Sequence, residues 1–202
     1  LWESSKRRVV ERFLNISEFN PVHLNIISAL PVFTTDQREK LYSIIHPLLN
    51  HSNPEIKCRV PAALFALNRD IFSESYAVCL KEILSICVSD SNRSVRLEIL
   101  NSIRPPYSPY LSFPEYLDFF SLLVNDDSFS VRRVALGILG SISKDNPSMI
   151  LPIFRRVLLD TLYLCDSSPL LRLQAQTTRC LTMIIQFADS ILPIYLHVYI
   201  PV

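Results

Sequence analysis

An internal period narrows the fold of this chain more than any other feature. Four segments follow one template: a small polar residue, an aliphatic residue three positions later, a basic residue next, then apolar or small residues at +7 and +11. Asn53 leads to Ile56, Lys57, Val60 and Leu64. Asn92 leads to Val95, Arg96, Ile99 and Ile103, and Ser128 to Val131, Arg132, Ala135 and Leu139. Ser168 leads to Leu171, Arg172 and Ala175, and only its last position departs, where Arg179 stands. The aliphatic anchors lie 39, 36 and 40 residues apart. A repeat of this length is one supersecondary unit that buries its apolar face only by stacking on its neighbours.

Each slot has a physical reason. The polar residue is expected to cap a helix by accepting a backbone N–H bond. Positions +3, +7 and +11 share one face of a 3.6-residue helix. The small Ala135 and Ala175 are expected to let a neighbouring helix approach. Amphipathic stretches at 36–49, 73–88, 113–124 and 147–165 supply the partner helix of each hairpin, with Pro47 and Pro152 expected to bend two of them. Pro61 falls in the second turn of its helix and predicts a kink or a late start.

Stacked hairpins of this period predict an all-α chain, a HEAT/armadillo-type α-solenoid of antiparallel helix hairpins. Tetratricopeptide repeats need a 34-residue period and a Gly-Tyr signature that is absent. The expected organisation is one solenoid segment over 1–202. A degenerate helix pair covers about 1–31, repeats cover 36–67, 73–103, 113–143 and 147–187, and a further repeat starts at 189–202. The chain begins at Leu1 and stops within a helical pattern, so it reads as a fragment of something longer.

Glycine usage points the same way. The chain has 2 glycines, where the usual fraction would supply about 14. Hairpin turns, phosphate-cradling loops and nucleophile elbows all draw on glycine, which argues against barrels, Rossmann and P-loop folds and α/β-hydrolases. Both glycines, Gly137 and Gly140, lie in the apolar run 135–142. Gly140 is expected either to admit a close helix or to end its own.

A net charge of +1 offers no general field for nucleic acid or an anionic membrane. The apolar stretch 190–202 is 13 residues long and carries Pro193 and Pro201, short of the roughly 18 residues a spanning helix needs. The expectation is therefore no nucleic-acid partner and no membrane insertion. Cys58, Cys79, Cys87, Cys165 and Cys180 form no C-x-x-C pair and are read as buried apolar residues of a reducing compartment.

No residues assemble into a known chemical motif. His23, His46, His51 and His197 lack metal-site spacing, and Asn68-Arg69-Asp70 is followed by Ser75 where a kinase catalytic loop needs Asn. Catalytic, cofactor-binding and metal residues are thus expected to be none. Two features stay open. Lys57, Arg96, Arg132 and Arg172 form a basic ladder that either meets acidic partners or pairs with Asp90, Asp126, Asp127 and Asp166 of neighbouring repeats. The segment 104–114, with a P-x-x-P at Pro106 and Pro109 and a Ser108-Pro109 step, is either a docking or phosphorylation site or a spacer.

The third template carries a family resemblance. Leu122-Leu123-Val124-Asn125-Asp126, Phe129, Val131-Arg132, Gly140, Asn146-Pro147, Pro152 and Arg155-Arg156-Val157-Leu158 resemble the amino-terminal HEAT region of the target-of-rapamycin (TOR) kinases. The register continues through Ser168, Arg172, Gln176, Arg179, Leu181 and Pro193. Gly140-Ser141-Ile142 and Asn146-Pro147-Ser148 depart from the family's Gly-Arg-Leu and Asn-Pro-Ala, and Pro169 replaces a turn glycine.

The resemblance implies a non-catalytic scaffold segment of a large serine/threonine kinase of the phosphatidylinositol-3-kinase-related class. That parent would use ATP and Mg²⁺ elsewhere in its chain. This segment would support protein assembly in nutrient and growth signalling, engaging Raptor-like or Rictor-like subunits and the second kinase protomer. The implied location is cytoplasmic, with endomembranes reached through partners. The alternative on the repeat pattern alone is a free-standing HEAT adaptor, of the transport-receptor or phosphatase-scaffold type.

Overall fold

The computed structural model describes residues 11–16, 18–30, 33–144 and 146–167, together with 175 and 182. Every regular element among them is helical. After a helical turn at 11–14 come α1 (Pro21–Ala29), α2 (Thr35–Ile45) with a 3-10 turn at His46–Asn50, α3 (Pro54–Lys57), α4 (Val60–Leu67), α5 (Glu74–Ser89) and α6 (Arg93–Ser102). A 3-10 turn at Pro109–Ser112 precedes α7 (Pro114–Leu123), α8 (Phe129–Ile142) and α9 (Pro147–Ser167). The chain forms two compact units, Leu1–Ser108 and Pro109–Val202.

Prolines punctuate these elements as their missing N–H requires. Pro47 sits where α2 tightens into its 3-10 turn. Pro61 lies at the second position of α4, after a break at residues 58–59 that separates it from α3. The expected late start is a division of one helix into two. Pro152 is accommodated inside α9.

In the unit Leu1–Ser108, α4 is the central helix, packed against α1, α2 and α6, while α5 pairs with α6. In the unit Pro109–Val202, α7, α8 and α9 pack on one another. The template explains the cores. Ile56, Val60 and Leu64, then Val95, Ile99 and Ile103, then Val131, Ala135 and Leu139 are all buried. Each fully buried Leu or Ile is worth roughly 1.5–3 kcal/mol over an exposed one. Every unit is a stack of helix hairpins, and the fold class is the all-α helical-repeat solenoid of HEAT/armadillo type.

Three expectations change. Gly140 is buried within α8, two residues before its end, and no glycine among the described residues has positive φ. It therefore does not terminate the helix as an αL cap; its carbonyl accepts from the buried Ser143 hydroxyl (2.7 Å). Ala175 is helical but exposed, and among the described residues no helix covers it. Cys58 is half-buried at the α3–α4 break, unlike the buried Cys79 and Cys87. The broken helix leaves its thiol at the surface, donating to the Glu55 carbonyl (3.2 Å). Cys165 and Cys180, and the template residues Ser168, Leu171, Arg172 and Arg179 with the stretch 189–202, lie outside what is described at side-chain level.

Candidate functional site

The polar residues of the repeat converge on the turn that joins the two helices of each hairpin. His51 Nδ1 accepts the Asn53 N–H (2.9 Å), Asp90 Oδ1 the Asn92 N–H (2.8 Å), and Asp126 Oδ1 the Ser128 N–H (2.7 Å). A side chain two residues ahead thus closes the same small turn three times. Asn53 and Asn92 then cap, accepting from Glu55 N–H and Ser94 N–H (both 2.9 Å). Ser128 occupies the cap position of α8 without a side-chain capping bond, contrary to the template's expectation.

The basic position serves these turns in two ways. Arg96 Nη1 donates to the carbonyls of Asp90 (2.9 Å) and Ser91 (3.2 Å), and Arg132 Nη1 to those of Asp126 (2.6 Å) and Asp127 (3.3 Å). The geometry is the same at both positions, 36 residues apart. Arg96 is only 6% exposed, and the Arg132 guanidinium also lies 5.8 Å from the Phe129 ring centroid. A guanidinium spreads its donors over a planar fork and can hold two adjacent carbonyls at once. Lys57 has a single ammonium instead, and it reaches the carboxylate of Asp90, in the following repeat. Arg172 is outside the described residues.

Asp90 is therefore a junction. Its side chain is 8% exposed. Burial pushes its carboxyl up, but bonds from Lys57 and Asn92 and the charges of Lys57 and Arg96 outweigh this and hold it below the ordinary carboxylate value. Two further links join the same repeats. Arg59 pairs with Glu98 (3.3 Å), both half-exposed, and His46 Nε2 meets Glu82 Oε2 (2.7 Å). These pairs span 39 and 36 residues, so the repeat period itself is the signal that would have found them.

Around His46 the polar groups are structural. Tyr42 stacks on it (5.3 Å between centroids) and shares a hydrogen bond with Cys79. Burial pushes the Cys79 thiol up to about 11, with the Tyr42 bond opposing and the Glu82 charge adding. Burial likewise raises the Tyr42 phenol. A thiol so shifted is protonated at neutral pH and makes a poor nucleophile. Asp70, of the Asn68-Arg69-Asp70 triplet, closes a turn by accepting from Phe72 N–H (3.0 Å).

Ser108 is 3% exposed, and its hydroxyl donates to the Ile71 carbonyl (2.7 Å). In this fold it is an anchor for the segment 104–108, closed to a modifying enzyme. Among the described residues no cluster of three His, Cys, Asp or Glu could hold a metal, and no helix is long and apolar enough to cross a membrane.

Repeated turns, clamped from within and linked from repeat to repeat, define a helical-repeat protein whose polar residues hold helices in register. No protein-family model matches the chain. Its sequence is similar to a segment of the TOR serine/threonine protein kinases. It is 27% identical to serine/threonine-protein kinase TOR2 of Saccharomyces cerevisiae over 122 residues, 60% of this chain and 5% of that protein. It is 24% identical to tor1 of Schizosaccharomyces pombe over 132 residues, 63% of this chain and 6% of that kinase. With mTor of Drosophila melanogaster the identity is 21% over 142 residues, 70% of this chain and 6% of the relative. The matched segment is thus about 5% of the length of these curated relatives.

Proposed function

We propose that this chain is a non-catalytic HEAT scaffold segment of a TOR-like serine/threonine protein kinase and that it mediates protein–protein assembly. The observation that carries the reading is the similarity to kinases of that name over 55–70% of the chain, in a stack of helix hairpins. Among the described residues, the basic side chains of the repeat serve turns and inter-repeat links. A solenoid works by presenting a long side surface of helices, and register between repeats fixes the spacing of whatever that surface meets.

On this reading ATP and Mg²⁺ belong to a kinase domain elsewhere in the parent chain. The partners are Raptor-like or Rictor-like subunits and a second kinase protomer, and the setting is cytoplasmic nutrient and growth signalling, with endomembranes reached through those partners. Of the ladder cations, Lys57, Arg96 and Arg132 are committed to Asp90 and to their own turns, so on this reading they set the register of the repeats.

Affinity purification of the tagged endogenous parent, followed by mass spectrometry, tests the proposal. The expected result is a chain carrying a kinase domain, co-purifying with large repeat-protein subunits. A parent with no kinase domain would overturn the reading in favour of a free-standing adaptor.

A further inference from the structure

The segment 103–108 has no part in the repeat template, yet it forms the rim of a cleft of about 270 Å³ in the unit Leu1–Ser108. Small residues on three packed helices leave the space: Ser28 on α1, Ala62 on α4 and Ser102 on α6. The hydroxyls of Ser28 and Ser102 donate within their own helices, to Asn25 (2.8 Å) and Ile99 (2.6 Å) carbonyls. One wall is aromatic, with Phe65 and Tyr76 stacked at 5.3 Å and 30°. Burial pushes the Tyr76 phenol up to about 12, so the wall is uncharged at neutral pH.

Arg104 and Pro106 stand at the rim, both exposed. The Ser108 bond to Ile71 ties this rim to the preceding loop. Arg104 Nε lies 3.5 Å from the Asn101 carbonyl, and among the described residues no carboxylate pairs with its guanidinium. Among the described residues no acidic side chain lines the cleft. The recess therefore combines an aromatic wall, half-buried at Phe65 and buried at Tyr76, with polar edges and one cation at its mouth.

We propose that this cleft binds an acidic peptide segment of a protein partner, seating one apolar side chain against Phe65 and Tyr76 and pairing the neighbouring carboxylate with Arg104. The volume favours a single side chain. It equals roughly nine waters at ~30 Å³ each and falls below the ~300–1,000 Å³ of most small-molecule sites. The charge selects the sequence, because a lone guanidinium facing a carboxylate forms a charge-assisted bond that an amide cannot replace. The inference rests on the scaffold reading for the polypeptide nature of the ligand.

The test titrates the ¹⁵N-labelled chain with two blocked peptides, Ac-Ser-Phe-Glu-Ser-NH2 and its Gln counterpart, followed by amide chemical shifts. The Glu peptide is expected to give saturable shifts at Ser28, Phe65, Tyr76 and Ser102, and the Gln peptide to bind about fivefold more weakly. Arg104→Gln, at an exposed position, is expected to bring both peptides to the weaker affinity without altering the rest of the spectrum. Ala62→Leu fills the recess and is expected to abolish both titrations. Absent shifts at those amides, equal affinities for the two peptides, or undiminished binding by Ala62→Leu would each overturn the proposal. Should the parent still co-purify as a kinase with its subunits, only the cleft assignment falls and the scaffold reading stands.

Discussion

Replacing Asp90 is expected to be the most damaging single change to a polar residue in the unit Leu1–Ser108. Its carboxylate takes Lys57 from the preceding repeat through one oxygen and the Asn92 N–H through the other (2.8 Å), and its side chain is 8% exposed. Hydrogen bonds to charged groups contribute about 1.5–3 kcal/mol, and the exposed Asn92 N–H can turn to water when its acceptor is removed. Lys57, at 22% side-chain exposure, recovers part of its loss from water. Asp90→Ala is therefore expected to cost about 1.5–3 kcal/mol, and Asp90→Asn, which keeps an acceptor for Asn92, about 1–2 kcal/mol. For a chain of this size each kcal/mol corresponds to roughly 2–4 °C in Tm.

Urea denaturation followed by circular dichroism reads the loss, with hydrogen exchange at the amides of Asn92 and Val95 as a local check. A double-mutant cycle with Lys57→Met isolates the inter-repeat bond and should return a coupling of about 1–2 kcal/mol. The pH dependence gives a further check with a definite sign. Burial raises the Asp90 carboxyl, but Lys57, Asn92 and Arg96 bring it to a net value below the ordinary one. Its stabilisation is thus complete above the unfolded value of about 3.9 and is lost as pH falls through the folded one. The gap between wild type and Asp90→Asn should be full near neutrality and close below about pH 4. A loss under about 0.5 kcal/mol for Asp90→Ala would refute the reasoning, as would a gap unchanged across that range.

His51 holds the place that Asp90 and Asp126 hold in later repeats, so His51→Asp is expected to stabilise by about 0.3–1 kcal/mol through a charged acceptor ahead of α3; a lowered Tm would count against the equivalence. Ala135, fully buried in α8, should not accept Leu, and overpacking is expected to cost about 1–3 kcal/mol; unchanged urea midpoints would contradict that packing. In the native chain Cys58 is expected to react with iodoacetamide at pH 8 at least about tenfold faster than Cys79 or Cys87, since all three thiols are accessible only as far as burial allows. Peptide mapping by mass spectrometry reads the order, and equal labelling would show that the core opens readily.

What the sequence alone determined is whatever depends on local periodicity. The spacing of Ile56, Val60 and Leu64, and of their counterparts in the next two templates, follows from 3.6 residues per turn, and these positions are buried without exception among the described residues. Pro61 likewise divided its helix where its missing N–H required. The TOR resemblance was legible from particular residues instead, Leu122-Leu123-Val124-Asn125-Asp126, Phe129 and Asn146-Pro147 among them, which periodicity alone does not single out.

Only the tertiary structure decided where the long polar side chains go. Lys57, Arg96 and Arg132 occupy one template slot, but the ammonium reaches forward to the next repeat while the two guanidinium groups turn back on their own loops. That choice depends on how close two stacked hairpins bring a carboxylate or a pair of carbonyls, a distance no window of sequence contains. The same holds for Ser108, whose Ser-Pro step reads as an exposed site until packing presents it with the Ile71 carbonyl, 37 residues away, and buries it. Helix faces are set by the turn of one backbone; polar partners are set by the gap between two.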